Sequence, residues 1–217
     1  MARTQADDFG DKQQRILDKA AEIFAAKGFD AATTIDIAKA CGMSKSALYH
    51  YHKSKEAILY ALLLAHLTRV VQQVQAAVDG QSGPEERLRA FLSSLLESNA
   101  VSRSKNIVLL NETTALPREQ ERDIRRLEKK LVQIGAELLQ PLNSAVMARS
   151  ELRTPYTMFL FGLVNWTYTW YDPKGPLSPG EVAARIADLF LNGYRDVSVA
   201  GQVVGSTRWR RIAGGKG

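Results

Sequence analysis

Residues 33–55, TTIDIAKACGMSKSALYHYHKSK, constrain the fold more than any other stretch, because they specify two short helices and the turn between them position by position. Thr33 is placed to cap the first helix, and Asp36 three residues on completes a T-x-x-D capping box. Ile35, Ile37 and Ala38 give that helix its apolar side. Cys41 and Gly42 end it, since glycine tolerates the left-handed backbone of a tight turn. Ser44 then caps the second helix, and Met43 before it is set to pack on Leu48 and fix the entry angle. On the second helix Ala47, Leu48 and Tyr51 fall at i, i+1 and i+4 and face inward, which turns Lys45, Ser46, Tyr49 and His50 outward.

That outward face has a definite chemistry. Residues 44–55 hold Lys45, Lys53 and Lys55 with no Asp or Glu until Glu56, so an anionic partner is favoured. The outward side chains also carry hydrogen-bond donors suited to phosphates and base edges. The DNA-binding candidates are therefore Thr33, Thr34, Ser44, Lys45, Ser46, Tyr49, His50, Lys53 and Lys55. Lys45, Ser46, Tyr49 and His50 are placed for base edges or phosphates, and Thr33, Ser44, Lys53 and Lys55 for phosphates. A merely solvated basic surface would use the same residues, and the spacing alone does not separate the two.

Over residues 15–63 the chain resembles the DNA-binding region of the tetracycline-repressor (TetR) family of bacterial transcription regulators. The motifs that carry the resemblance are G-F-D at 28–30, T-I-D-I-A at 34–38 and S-K-S-A-L-Y-H-Y at 44–51. Tyr51 stands where the family more often has phenylalanine, and His52 where the chain more often goes straight to lysine. The resemblance implies an all-α homodimer: an N-terminal three-helix helix-turn-helix domain (residues 11–55) joined to a C-terminal helical domain (56–198) that binds a small molecule and dimerises. The effector loosens the grip on double-stranded operator DNA.

The rest of the chain is compatible with this. At 217 residues it can bury a sizeable core with room for a pocket. Four of its six net positive charges fall in residues 199–217, a basic, glycine-rich tail that reads as disordered, so the remainder is nearly balanced. The DNA argument thus rests on the local patch and not on overall charge. In the tail, Trp209 with Arg208, Arg210 and Arg211 offers a second DNA contact as the alternative reading. Cys41, the single cysteine, excludes an intrachain disulfide and a cysteine-based zinc site and reads as a small packed residue. His50, His52 and His66 are too dispersed for a metal site and read as exposed, so neither metal nor cofactor is expected. The N-terminus is polar where a signal peptide needs an apolar core, and no stretch approaches the roughly 18 continuous apolar residues of a membrane span. A cytoplasmic protein without a membrane partner is the expectation.

Glycines and prolines punctuate the helices. The first is expected over 11–27, stopped by Gly28 with Phe29 folding back on Phe24, and a long one over 55–79 belongs to both domains. Pro84 with Glu85 and Glu86 opens another, 106–115 is a shorter element, and Pro117 opens a charged amphipathic helix that Pro141 kinks or splits. Ser178 and Glu181 form a capping box for the closing helix, whose Val182, Ile186, Leu189, Phe190, Gly193 and Val197 share a side. With its predecessor it is expected to form a hairpin that pairs with its own copy across a two-fold axis.

That predecessor is unusually aromatic. Phe159, Leu163, Trp166 and Trp170 form one row, and Tyr156, Leu160, Val164 and Tyr168 a neighbouring row. Core, dimer interface and pocket lining are all open to it. Residues 165–173, N-W-T-Y-T-W-Y-D-P, followed by G-P-L-S-P, resemble a TetR subgroup responsive to acyl-coenzyme A thioesters. This implies Phe159, Phe161, Asn165, Trp166 and Trp170 as ligand-binding candidates, with phosphate partners to be drawn from Arg122, Arg125, Arg126 and Arg153. No nucleophile elbow, metal-ligand cluster or glycine-rich phosphate loop appears, so no catalytic residue is expected. An acyl-coenzyme A enzyme and a helical adaptor for an acidic partner are the competing classes, and activation competes with repression.

Overall fold

The computed structural model describes residues 2–194, whose regular structure comprises eleven α-helices and one 3-10 turn, with no strand among them. The tail and Val197 lie outside the described residues. Helix α1 (Ala2–Lys27) starts well before the expected residue 11, no proline interrupting the sequence and Gly10 standing in open space. Gly28 stops it at φ 79°, and Phe29 folds back on Phe24 with ring centroids 5.4 Å apart.

Helices α2 (Thr34–Ala40) and α3 (Lys45–Tyr51) follow, then α4 (Lys55–Asp79), the spine of the fold. Ten α4 side chains are buried, from Ile58 and Leu59 through Leu67 to Val78, and they pack on α1, on α5 (Pro84–Val101), on α6 (Arg103–Glu112) and on α7 (Arg118–Leu139). By length and average composition alone α4 is long and apolar enough to cross a membrane, although its unbroken apolar run stops at His66 and much of it is buried inside the protein. Its leucines form the core, each buried side chain contributing roughly 1.5–3 kcal/mol.

Pro141 splits the chain instead of bending it. Helix α7 ends at Leu139, and a turn leads to the short α8 (Ser144–Met147), capped by Asn143. The aromatic segment is also two pieces, α9 (Ser150–Asn165) and α10 (Thr167–Trp170), broken at Trp166. Its two rows have different fates. Leu160 and Val164 are buried, whereas Phe159 (59 %), Trp166 (64 %) and Trp170 (56 %) are exposed.

Helix α11 (Pro179–Tyr194) begins with the expected capping box. Ser178 Oγ accepts from the Glu181 amide at 3.2 Å, and Glu181 accepts from the Ser178 amide at 2.8 Å. These bonds hold the exposed Glu181 carboxyl below its ordinary range. The expected hairpin with the preceding helix is corrected: α11 packs chiefly on α5, burying Val182, Ile186 and Phe190, and touches α9 only lightly. Leu189 points away from that core and is 69 % exposed.

Candidate nucleic-acid interface and internal cavity

The turn between α2 and α3 is built as its residues dictate. Thr33 Oγ1 accepts from the Asp36 amide at 3.1 Å while Asp36 accepts from the Thr33 amide at 3.1 Å. Those bonds to Thr33 hold the Asp36 carboxyl below its ordinary range, with Lys27 assisting. Gly42 sits at φ 67°. Its amide donates to the Lys39 carbonyl at 3.1 Å and that of Met43 to Ala38 at 3.0 Å, the paired bonds of a Schellman ending. Ser44 Oγ then caps α3 through the Ala47 amide at 3.1 Å.

Leu48 is buried, Tyr51 stacks on Phe9 with centroids 4.7 Å apart, and Cys41 is buried, which pushes its thiol up. Two inward assignments are corrected. Ala47 and Ile35 (60 % exposed) face out, because helices of seven residues bury only one narrow stripe.

Among the sequence candidates Thr33, Ser44, Lys45, Ser46, His50 and Lys53 are exposed, and Thr34 and Tyr49 half-buried. Lys45 leans over the Tyr49 ring at 5.7 Å. No acidic side chain lies within residues 44–55, so the face of α3 is basic and rich in donors. Lys55 stands apart from this group. Its Nζ donates to the carbonyls of Phe29 (2.7 Å), Asp30 (3.2 Å) and Ala32 (3.0 Å) and lies 4.3 Å from the Phe29 ring centroid. An ammonium has three donors, so a phosphate at Lys55 would have to displace one of these bonds. Its structural work is to hold the α1–α2 connection to the start of α4.

The histidines part company too. His50 is exposed as expected, but His52 (6 %) and His66 (5 %) are buried, correcting their reading as solvated. His52 caps α3 in extended conformation, and burial pulls its pKa down. His66 falls on the buried stripe of α4, where burial, with Lys105 nearby, lowers its pKa to about 4.

His66 borders a cavity of about 410 Å³ formed by α4, α5, α6, α7 and α9. Leu67, Val70, Leu95, Leu109, Leu131 and Phe161 supply much of its apolar wall. Of the expected ligand residues, Phe161 and Asn165 line it. Phe159, Trp166 and Trp170 do not: they form the exposed row of α9 and α10, a correction set by the helix phase that buries Leu160 and Val164. The candidate arginines do not line the cavity and are already engaged, Arg125 in part with the lining Glu128. Arg122, Arg125 and Arg126 pair with acids of their own helix, and Arg153 donates to the Met147 carbonyl at 3.1 Å.

Apart from Asn165, the cavity's polar residues were not assigned to a ligand site from sequence. His66 Nε2, Asn99 Nδ2 and Asn106 Nδ2 are buried, line this one space and make no hydrogen bond of good geometry, although the Asn106 side chain stands close enough to the His66 ring to oppose the lowering of its pKa. An unsatisfied buried polar atom costs about 1–3 kcal/mol. A histidine inside an apolar helical row was the available signal, while nothing in their neighbourhoods marks the two asparagines.

Helix α6 connects this space to the N-terminal helices. It contributes Asn106 and Leu109 to the cavity, and Lys105 beside them bridges to Asp18 of α1 at 2.6 Å. His66 also lines a narrow crevice with Gln14 and Leu17 of α1, so its ring is a wall common to both spaces. Tyr60 of α4 donates to Asp123 of α7 at 3.0 Å.

The sequence model of bacterial regulatory proteins of the tetR family matches residues 16–62, and that of the tetracyclin repressor-like C-terminal domain matches residues 81–194. A TetR-family transcriptional regulator from Bordetella parapertussis 12822 superposes with a TM-score of 0.81 at 35 % identity, covering 87 % of this chain and 98 % of that one. AibR, crystallised with isovaleryl coenzyme A and operator DNA, gives a TM-score of 0.72 at 28 % identity over 82 % of this chain and 97 % of its own. The transcriptional repressor KstR2 of Mycolicibacterium smegmatis is 25 % identical over 184 residues, 84 % of this chain and 90 % of that protein.

Proposed function

The chain belongs to the TetR family of bacterial transcription regulators, and from that membership we propose that it is a ligand-responsive repressor, released from its operator when a small, largely apolar effector fills the cavity. It is a DNA-binding regulator and not an enzyme. The observation that carries the ligand-responsive part is the continuity from cavity to DNA-binding helices: α6 lines the one and is bridged to the other through Lys105 and Asp18. Repression is favoured over activation by the relatives named as repressors.

Lys45, Ser46, Tyr49 and His50 are the proposed base-edge contacts, with Thr33, Thr34, Ser44 and Lys53 at phosphates; Lys55 acts from behind them. Two copies place their α3 helices in successive major grooves about 34 Å apart on a palindromic site. The exposed Phe159, Trp166 and Trp170, with Leu189 on α11, support a homodimer formed through the C-terminal helices, since large apolar side chains left in water favour burial against a partner. An acyl-coenzyme A thioester is the proposed effector class, supported by the motif at 165–179 and by AibR's bound isovaleryl coenzyme A. The place of action is the cytoplasm, where the DNA is. The proposed division is 11–55 for DNA, 56–198 for ligand and dimer.

Fluorescence anisotropy on DNA from upstream of its own gene, with scrambled competitor and then a panel of acyl-coenzyme A compounds, tests this. Selective binding released by one thioester is expected. Binding no tighter than to scrambled DNA would sink the operator reading, and selective binding that no small molecule releases would remove the ligand response.

A further inference from the structure

The cavity's polar atoms say more about its occupant than its apolar wall does. Of the side chains lining it only Glu128 is charged, and that carboxylate is bound to Arg125 at 3.0 Å. No lysine or arginine lines the space. Lys105, on the far side of His66, is bound to Asp18. A carboxylate entering here would lose much of its water, meet the Glu128 carboxylate and find no cation but the Arg125 that Glu128 already holds, so burial would be unfavourable. What the wall does offer is amide donors: Asn106, 7 % exposed, and Asn99 each hold a buried Nδ2 without an acceptor. His66, with its pKa lowered to about 4, is neutral at ordinary pH and adds a ring nitrogen but no positive charge.

We infer that the cavity takes a neutral, largely apolar molecule by a carbonyl-type oxygen that accepts from the Asn99 and Asn106 amides, and that it rejects the matching free carboxylate. A carbonyl oxygen has two lone pairs, so one atom can satisfy both donors. The class comprises ketones, esters and thioesters with a short to medium apolar body. The volume, about 410 Å³, equals roughly fourteen waters at about 30 Å³ each, which suits such a body. A coenzyme A thioester would insert its acyl chain and carbonyl and leave its phosphates outside. The inference rests on the reading of this cavity as the effector site.

Titration calorimetry of the full chain at pH 7.5 with methyl octanoate, octanoate and octane tests it. The ester should bind about tenfold or more tighter than the carboxylate. Asn106→Leu and Asn99→Leu should each weaken the ester about tenfold and leave octane unweakened, while raising the melting temperature of the unliganded chain by removing an unsatisfied amide. If Asn106→Leu fails to fold, Asn99→Leu, at a half-buried position, carries the same comparison. Equal or tighter carboxylate binding, undiminished ester binding in the folded variants, or no binding of any of the three compounds would overturn the inference. Anisotropy on the operator keeps the two readings apart. Ester binding that never releases DNA removes the regulatory reading and spares this one, whereas DNA release by an effector indifferent to both substitutions does the reverse.

Discussion

The outward face of α3 and the wall of the cavity both present polar side chains without a partner inside the protein, yet their energetics are opposite. Lys45, Ser46 and His50 face water, which satisfies them, so their exposure is nearly neutral for stability. His66, Asn99 and Asn106 hold buried atoms that nothing in the chain satisfies, and each is destabilising as it stands. The first arrangement lets a surface read a partner without disturbing the fold. The second ties recognition to stability, because any molecule that supplies the missing bonds also stabilises the state that holds it.

The contrast is open to attack at several strengths. Leu48, under the α3 face, is 1 % exposed, and Leu48→Ala should cost about 3 kcal/mol by chemical denaturation. If Tyr49→Ala cost as much, the separation between reading face and core would collapse.

Acid gives the next largest effect. The folded pKa of His66, about 4, lies below the 6.5 of the free side chain, so the unfolded chain binds the extra proton first. Stability is full above pH 6.5 and should fall by up to about 3 kcal/mol as pH drops to 4, with the shift at His52 adding in the same direction. The measurement is denaturant midpoint against pH. A His66→Leu variant with an equally steep fall would show that the carboxylates, not this ring, set the slope.

Removing the cap of α2 by Thr33→Ala should cost about 1 kcal/mol and show first as faster amide exchange in α2. Two lysines then divide the roles within one patch. Lys53→Ala should leave the melting temperature within about 1 °C and reduce the slope of log K against log salt by about 0.9. Lys55→Ala should lower the melting temperature and leave that slope unchanged, because its amine is held by three carbonyls. A fall in slope for Lys55→Ala would return it to the phosphate contacts. The smallest effect belongs to Ser46→Ala, within about 0.5 kcal/mol in stability, while selectivity for the operator over scrambled DNA declines.

The two regions also differed in how far they could be read from sequence. The α2–α3 turn depends on contacts at three to five residues' separation, so Thr33, Asp36, Gly42 and Ser44 announce it in the order they act. The capping box at Ser178 was legible for the same reason. The cavity depends on the phases of five helices, and phase accumulates from contacts far apart in the chain. Phe159, Trp166 and Trp170 have the composition of a pocket, but the rotation of α9 that buries Leu160 and Val164 turns Phe159 outward, and the break at Trp166 leaves both tryptophans exposed. Asn99 and Asn106 acquire meaning only when α5 and α6 meet across the space that Leu95, Leu109 and Leu131 enclose. Lys55 carries the charge of a phosphate anchor, and only the course of the chain through residues 29–32 shows what its amine holds.

Lys55 and His66 stand eleven residues apart on one uninterrupted helix, a span of about 16 Å at 1.5 Å per residue. The first turn of the helix grips the corner of the DNA-reading unit, and its middle supplies the partition of the chamber. In the proposed ligand response α4 would serve as a connecting rod, since both features stand on one continuous hydrogen-bonded helix. A molecule that moved the His66 ring would then act on the carbonyls that Lys55 holds, and loss of that one amine would uncouple the chamber from the DNA-binding helices.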